Sequence, residues 1–118
     1  MLSDLHESQM DTVTAVSGSG PAYFFLFMEA LEAAAHERGL PREVAHQLTL
    51  ETAFGAAQMA RQSADSLATL REQVTSKGGT TAAALEVLNS AGLRAIVAHA
   101  VAAADRRSAE LAAEFGGP

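Results

Sequence analysis

The stretch A-V-S-G-S-G-P-A-Y-F-F-L-F, residues 15–27, decides how this chain is read. Before it runs Thr12-Val13-Thr14-Ala15-Val16, rich in β-branched residues, and within it stands Gly18-Ser19-Gly20. A strand, then G-x-G, then a helix whose N-terminus receives a pyrophosphate is how a dinucleotide-binding turn begins. The remaining fingerprint positions reject that reading. Tyr23 stands where Gly or Ala is required, and Pro21 removes a backbone donor. About 20 residues on, where an acidic residue should close a second strand, the chain breaks at Gly39-Leu40-Pro41. Thr12–Val16 is the only strand candidate, and one strand makes no parallel sheet. The turn is instead a flexible, capped start to a helix. From Ala22 to Met28 that helix is apolar on every side, which predicts burial all round.

Working outward, helix punctuation is clear. Pro21 suits a first helical turn with Gly20 or Ser19 as cap, and Gly39 suits the stop. Pro41 opens a second helix to about Gln62, with Val44, Ala45, Leu48, Thr52, Gly55, Ala56 and Met59 on one face. Ser63 to Ser66 break the pattern before a short helix carrying Leu67, Leu70 and Val74. After the loop Thr75-Ser76-Lys77-Gly78-Gly79, Thr80 is placed to cap a fourth helix that Gly92 ends. A fifth runs from Leu93 to about Glu114, apolar at Ile96, Val97, Ala100, Val101 and Ala104, and Gly116-Gly117-Pro118 closes it. Alanine occurs 26 times against eight Val plus Ile, which favours helix over sheet. The reading is an all-α domain of about five helices over residues 12–118, preceded by a tail or linker remnant at 1–11.

Composition narrows the function. With 118 residues, 48% apolar and 19% charged, the chain is a single globular domain. A net charge of −6 with eight scattered basic residues argues against nucleic acid. The absence of cysteine removes disulfides and thiolate chemistry. No apolar run approaches the ~20 residues that span a bilayer, so no membrane and a cytoplasmic home are expected. Histidines at 6, 36, 46 and 99 have no metal-ligand spacing, so no metal is expected. His36 and His46 read as solvated, His99 as packed or partner-bonded, and Ser17 and Ser19 as caps. Too much apolar surface remains for five helices alone, and Phe54 breaks the polar face of the second helix. Both features predict a homodimer.

One stretch points to chemistry: V-T-S-K-G-G-T-T-A-A-A-L-E-V-L, Val74 to Leu88. Paired glycines before a helix can turn successive N–H groups inward as an anion nest. The positive helix end adds to it, and Ser76, Thr80 and Thr81 supply hydroxyls. A small carboxylate or phosphate would suit. A plain interhelical turn with a Thr cap accounts for the same residues, and such turns are common. Residue chemistry alone leaves both open.

The blocks A-V-S-G-S-G-P-A-Y-F-F, E-R-G-L-P, R-E-Q-V-T-S-K-G-G-T-T-A-A-A-L-E-V-L and D-R-R-S-A-E-L, in this order, resemble the C-terminal domain of pyrroline-5-carboxylate reductases over roughly Met10 to Leu111. The resemblance implies a helical dimerisation domain, similar to the C-terminal domain of 6-phosphogluconate dehydrogenase, in which two copies interlock. It implies NAD(P)H as cofactor, bound by a Rossmann domain absent from this chain, so that no cofactor is expected here and the chain alone is inactive. It further implies reduction of a small anionic imine to L-proline, with some members assembling dimers further. On this resemblance the substrate carboxylate maps to Ser76 and to the backbone around Gly78, Gly79 and Thr80, and the catalytic hydroxyl near the ring nitrogen to Thr81. Two positions depart from the family pattern: Lys77 and Leu67 stand where Pro is usual. A non-catalytic oligomerisation or carboxylate-binding module derived from that family is the alternative.

Overall fold

The computed structural model describes residues 9–116, and the expectations for the tail at 1–8 and for Gly117-Pro118 lie outside them. The described residues contain helices and no strand. The elements are α1 (Met10–Val13), a π-helical turn (Thr14–Gly18), α2 (Gly20–Glu37), α3 (Arg42–Gln62), α4 (Leu67–Gln73), α5 (Thr80–Ser90), α6 (Leu93–Leu111) and a second π turn (Ala112–Gly116). The five expected helices are α2 to α6. Thr12–Val16, read as a strand, is helical, and its β-branched propensity is overridden by tertiary contacts.

The helix stops are built as their residues predict. Gly39 has φ 108°, and the N–H groups of Gly39 and Leu40 reach back to the carbonyls of His36 and Ala35 at 3.0 and 3.2 Å. That is a Schellman motif. His36, expected to be solvated, donates from Nδ1 to the Leu40 carbonyl at 2.8 Å and clasps the same turn. Gly92, at φ 89°, closes α5 and caps α6, its carbonyl accepting the Ile96 N–H at 3.0 Å. Pro41 is the N-cap of α3 and Ser66 that of α4, where the Ser66 hydroxyl accepts the Thr69 N–H at 3.1 Å. Leu67 is therefore the first helical residue, a place where proline is favoured but not required.

The chain divides into two compact units, one comprising residues up to Phe24 with those from Asn89 onward, the other Phe25 to Leu88. In the first unit, α6 approaches α1 and the π turn closely. Ser108 donates to Asp11 at 2.7 Å and Thr12 to Asp105 at 2.5 Å. The π turn buries Ala15, whose carbonyl accepts the Tyr23 hydroxyl at 2.7 Å. Ser17, expected as a cap, instead bonds back to the Val13 carbonyl at 2.9 Å.

In the second unit only Ala45 and Thr49 are buried, one helical turn apart on α3. Of the apolar face expected on that helix only Ala45 is buried, while Val44, Leu48 and Met59 are 43–53% exposed. The all-round apolar start of α2 is likewise uncovered, with Phe25, Leu26 and Phe27 exposed by 63, 67 and 50%. Burial on every side does not occur within the chain. His46, expected to be solvated, pairs with Glu32 at 2.7 Å, and His99 is exposed on α6. No single helix among the described residues is long and apolar enough to cross a membrane.

Candidate functional site

The second unit positions the loop from Ser76 to Thr81. The end of α4 is closed by the Thr75 hydroxyl, which donates to the Arg71 carbonyl at 2.6 Å. The chain then reverses in a four-residue turn in which the Gly79 N–H donates to the Ser76 carbonyl at 3.0 Å. Gly78 has φ 73° and Lys77 lies outside the positive-φ region. This is a type II turn, with Lys77 and Gly78 at its two central positions.

The two glycines have different tasks. Gly78 carries the left-handed backbone, with open space beside it. Gly79 has an ordinary φ, but a Cβ there would lie 3.3 Å from both the Cβ and the carbonyl oxygen of Ser76. Gly79 is therefore required for space rather than for φ. Its N–H, expected to face an anion, is already used in the turn. Its carbonyl accepts the Ala83 N–H at 3.2 Å, which makes Gly79 the capping residue and Thr80 the first residue of α5. Thr80 is thus not the cap, and its hydroxyl is released from that duty.

What remains available is a compact donor set. The N–H groups of Thr80, Thr81 and Ala82 precede the first intrahelical bond and have no partner, and they carry the positive end of α5. Ser76, Thr80 and Thr81 are exposed, and their hydroxyls make no hydrogen bond among the described residues. Three amide donors at the start of α5, with hydroxyls at Ser76, Thr80 and Thr81 on the turn and the helix start, are the groups that suit a carboxylate.

Elsewhere in the second unit a groove of about 440 Å³ is lined by Glu29, Glu32, His36, Arg42 and His46. Its histidines are already engaged, by Leu40 and Glu32, and its acids disfavour an anion. Among the described residues no three His, Asp or Glu side chains converge on a metal position. Gly18 ends the π turn and Gly20 begins α2, so the strand that precedes the glycines in a dinucleotide-binding turn is here helical.

The family model for pyrroline-5-carboxylate reductase dimerisation matches residues 7–111. The chain is 56% identical over 110 residues to the pyrroline-5-carboxylate reductase of Pseudomonas aeruginosa, covering 93% of this chain and 40% of that protein. The pyrroline-5-carboxylate reductase structure from Coxiella burnetii matches with a TM-score of 0.88 at 48% identity, over 91% of this chain and 40% of that one. The Plasmodium falciparum pyrroline carboxylate reductase structure, which has NADP bound, matches with a TM-score of 0.84 at 38% identity, over 88% and 41%. The chain spans about two-fifths of the length of these relatives. It belongs to the pyrroline-5-carboxylate reductase dimerisation family.

Proposed function

We propose that residues 12–118 form the dimerisation and substrate-binding domain of a cytoplasmic pyrroline-5-carboxylate reductase that converts 1-pyrroline-5-carboxylate to L-proline. The observation that carries this reading is the type II turn from Ser76 to Gly79, which delivers three open N–H groups and three unpartnered hydroxyls to one helix start. The substrate carboxylate accepts from the N–H groups of Thr80, Thr81 and Ala82 and from the Ser76 hydroxyl. The Thr81 hydroxyl then meets the ring nitrogen and orients the imine. NAD(P)H, held by another domain of the whole enzyme, supplies hydride to the imine carbon while the nitrogen takes up a proton. The apolar faces of α2 and α3 pair with a second copy, giving a homodimer. In support of the pairing, the family is named for dimerisation and the large apolar residues on these faces are uncovered.

The test is Thr81→Ala in an enzyme that carries this domain together with its nucleotide-binding domain. A hydrogen bond involving a charged group contributes about 1.5–3 kcal/mol, so kcat/KM should fall roughly 10- to 150-fold. Unchanged kcat/KM would place the substrate elsewhere and leave the loop a simple turn.

A further inference from the structure

We propose that Lys77 is a specificity-determining residue whose ammonium draws the carboxylate of the substrate onto the first turn of α5 and lowers KM for anionic ligands. This rests on the reading of residues 76–81 as the carboxylate site. The turn itself gives no reason for a lysine. Lys77 occupies the first central position of a type II turn, where φ near −60° makes proline the best residue. Its place is therefore better explained by charge than by backbone geometry.

The surroundings agree. Lys77 is exposed and pairs with no carboxylate among the described residues, whose ion pairs engage His46 and Arg107 instead. Between Arg71 and Arg94 it is the only basic residue, with Glu72 and Glu86 as the only acids. The chain as a whole carries −6, so its net charge repels an anion. Charges beyond about 8 Å are screened at physiological ionic strength, so a cation on the turn itself acts on the loop more strongly than charges spread over the rest of the chain. The turn holds the Cα atoms of Ser76 and Gly79 within about 7 Å, inside the reach of a lysine side chain from the position between them. The ammonium adds attraction without touching the reacting atoms, so its effect belongs on KM and not on kcat.

Lys77→Gln, Lys77→Pro and Lys77→Arg should be compared with Thr81→Ala in the enzyme carrying both domains, at ionic strengths of about 20 and about 500 mM. At low ionic strength Gln and Pro should each raise KM for 1-pyrroline-5-carboxylate about two- to five-fold with kcat unchanged, and at high ionic strength the difference should close. Arg should keep the parental KM at both. Proline preserves the turn while removing the charge, so agreement between Gln and Pro separates charge from geometry. A KM unaffected by both neutral variants at low ionic strength overturns the proposal, as does a change confined to kcat. If Thr81→Ala also has no effect, the carboxylate site itself is misplaced; if Thr81→Ala lowers kcat/KM and the Lys77 variants do nothing, only the role of Lys77 falls.

Discussion

The seam between α6 and α1 and the helices α2 and α3 handle their side chains in opposite ways. In the seam, small and polar residues meet: Ala15 is buried, and Asp11, Thr12, Asp105 and Ser108 bond across it. On α2 and α3 large apolar residues such as Phe25, Leu26, Phe27 and Leu48 are exposed, while the buried residues are Gly20, Ala45 and Thr49. A chain that spends its small residues on internal contact and exposes Phe, Leu and Met is organised for a second surface. Obligate interfaces of that kind bury upwards of ~2,000 Å² and resemble a core cut in half. The difference teaches that the seam is closed by polar contacts within the chain, whereas the large apolar residues of α2 and α3, like Ile96 and Val97 on α6, are left uncovered by it.

Charging the second region should break it most severely. Phe25 is 63% exposed on the all-apolar start of α2, so Phe25→Glu disturbs only a minor part of the protomer's own contacts. Placed against a partner, it buries an unpaired carboxylate, and self-association should weaken at least ~100-fold. Sedimentation equilibrium at low micromolar concentration reads this directly; a variant that remains fully dimeric would show that this helix lies outside the interface.

The loop belongs to the second unit but is closed by its own hydrogen bonds, so its sensitivity should be local. Gly79→Val sets a branched side chain against Ser76, whose Cβ and carbonyl oxygen lie only 3.3 Å from where the new Cβ must go. The turn must open and the donor set disperses, so kcat/KM should fall by more than the ~150-fold upper figure for Thr81→Ala. The dimer should persist. Retained activity would mean that the turn can shift without cost to the site.

The smallest effect is expected in the seam. Asp105→Ala removes the acceptor of Thr12, an exposed charge-assisted bond with a net contribution of about 1 kcal/mol. The melting temperature should drop by roughly 3–6 °C with no change in self-association. A shift in the dimerisation constant instead would erase the distinction between the two regions.

Much of the backbone is legible because its signals are local. Gly39 and Gly92 read as helix stops, and both adopt positive φ. Pro41 starts α3 and Pro21 sits in the first turn of α2. The loop is legible as a turn before a helix, but the division of labour within it is not. Paired glycines suggest that Gly79 offers its N–H to an anion, whereas the type II geometry spends that N–H on Ser76 and transfers the conformational demand to Gly78. The role of His36 is equally hidden in the sequence, since its acceptor is a backbone carbonyl that only the Schellman turn brings within reach.

The sequence by itself determined which segments from Pro21 onward are helical, where they stop, and that apolar surface exceeds what five helices can cover. These follow from 3.6-residue periodicity, from proline and glycine geometry, and from counting side chains. Tertiary structure alone decided that Thr12–Val16 is helical, because the partners that hold its segment there lie on α6, 93 and 97 residues away in the chain. It also decided which apolar faces are covered within the chain. Periodicity marks a face as apolar but does not say what packs on it, so α3 buries its Ala45–Thr49 edge and leaves Leu48 and Met59 uncovered.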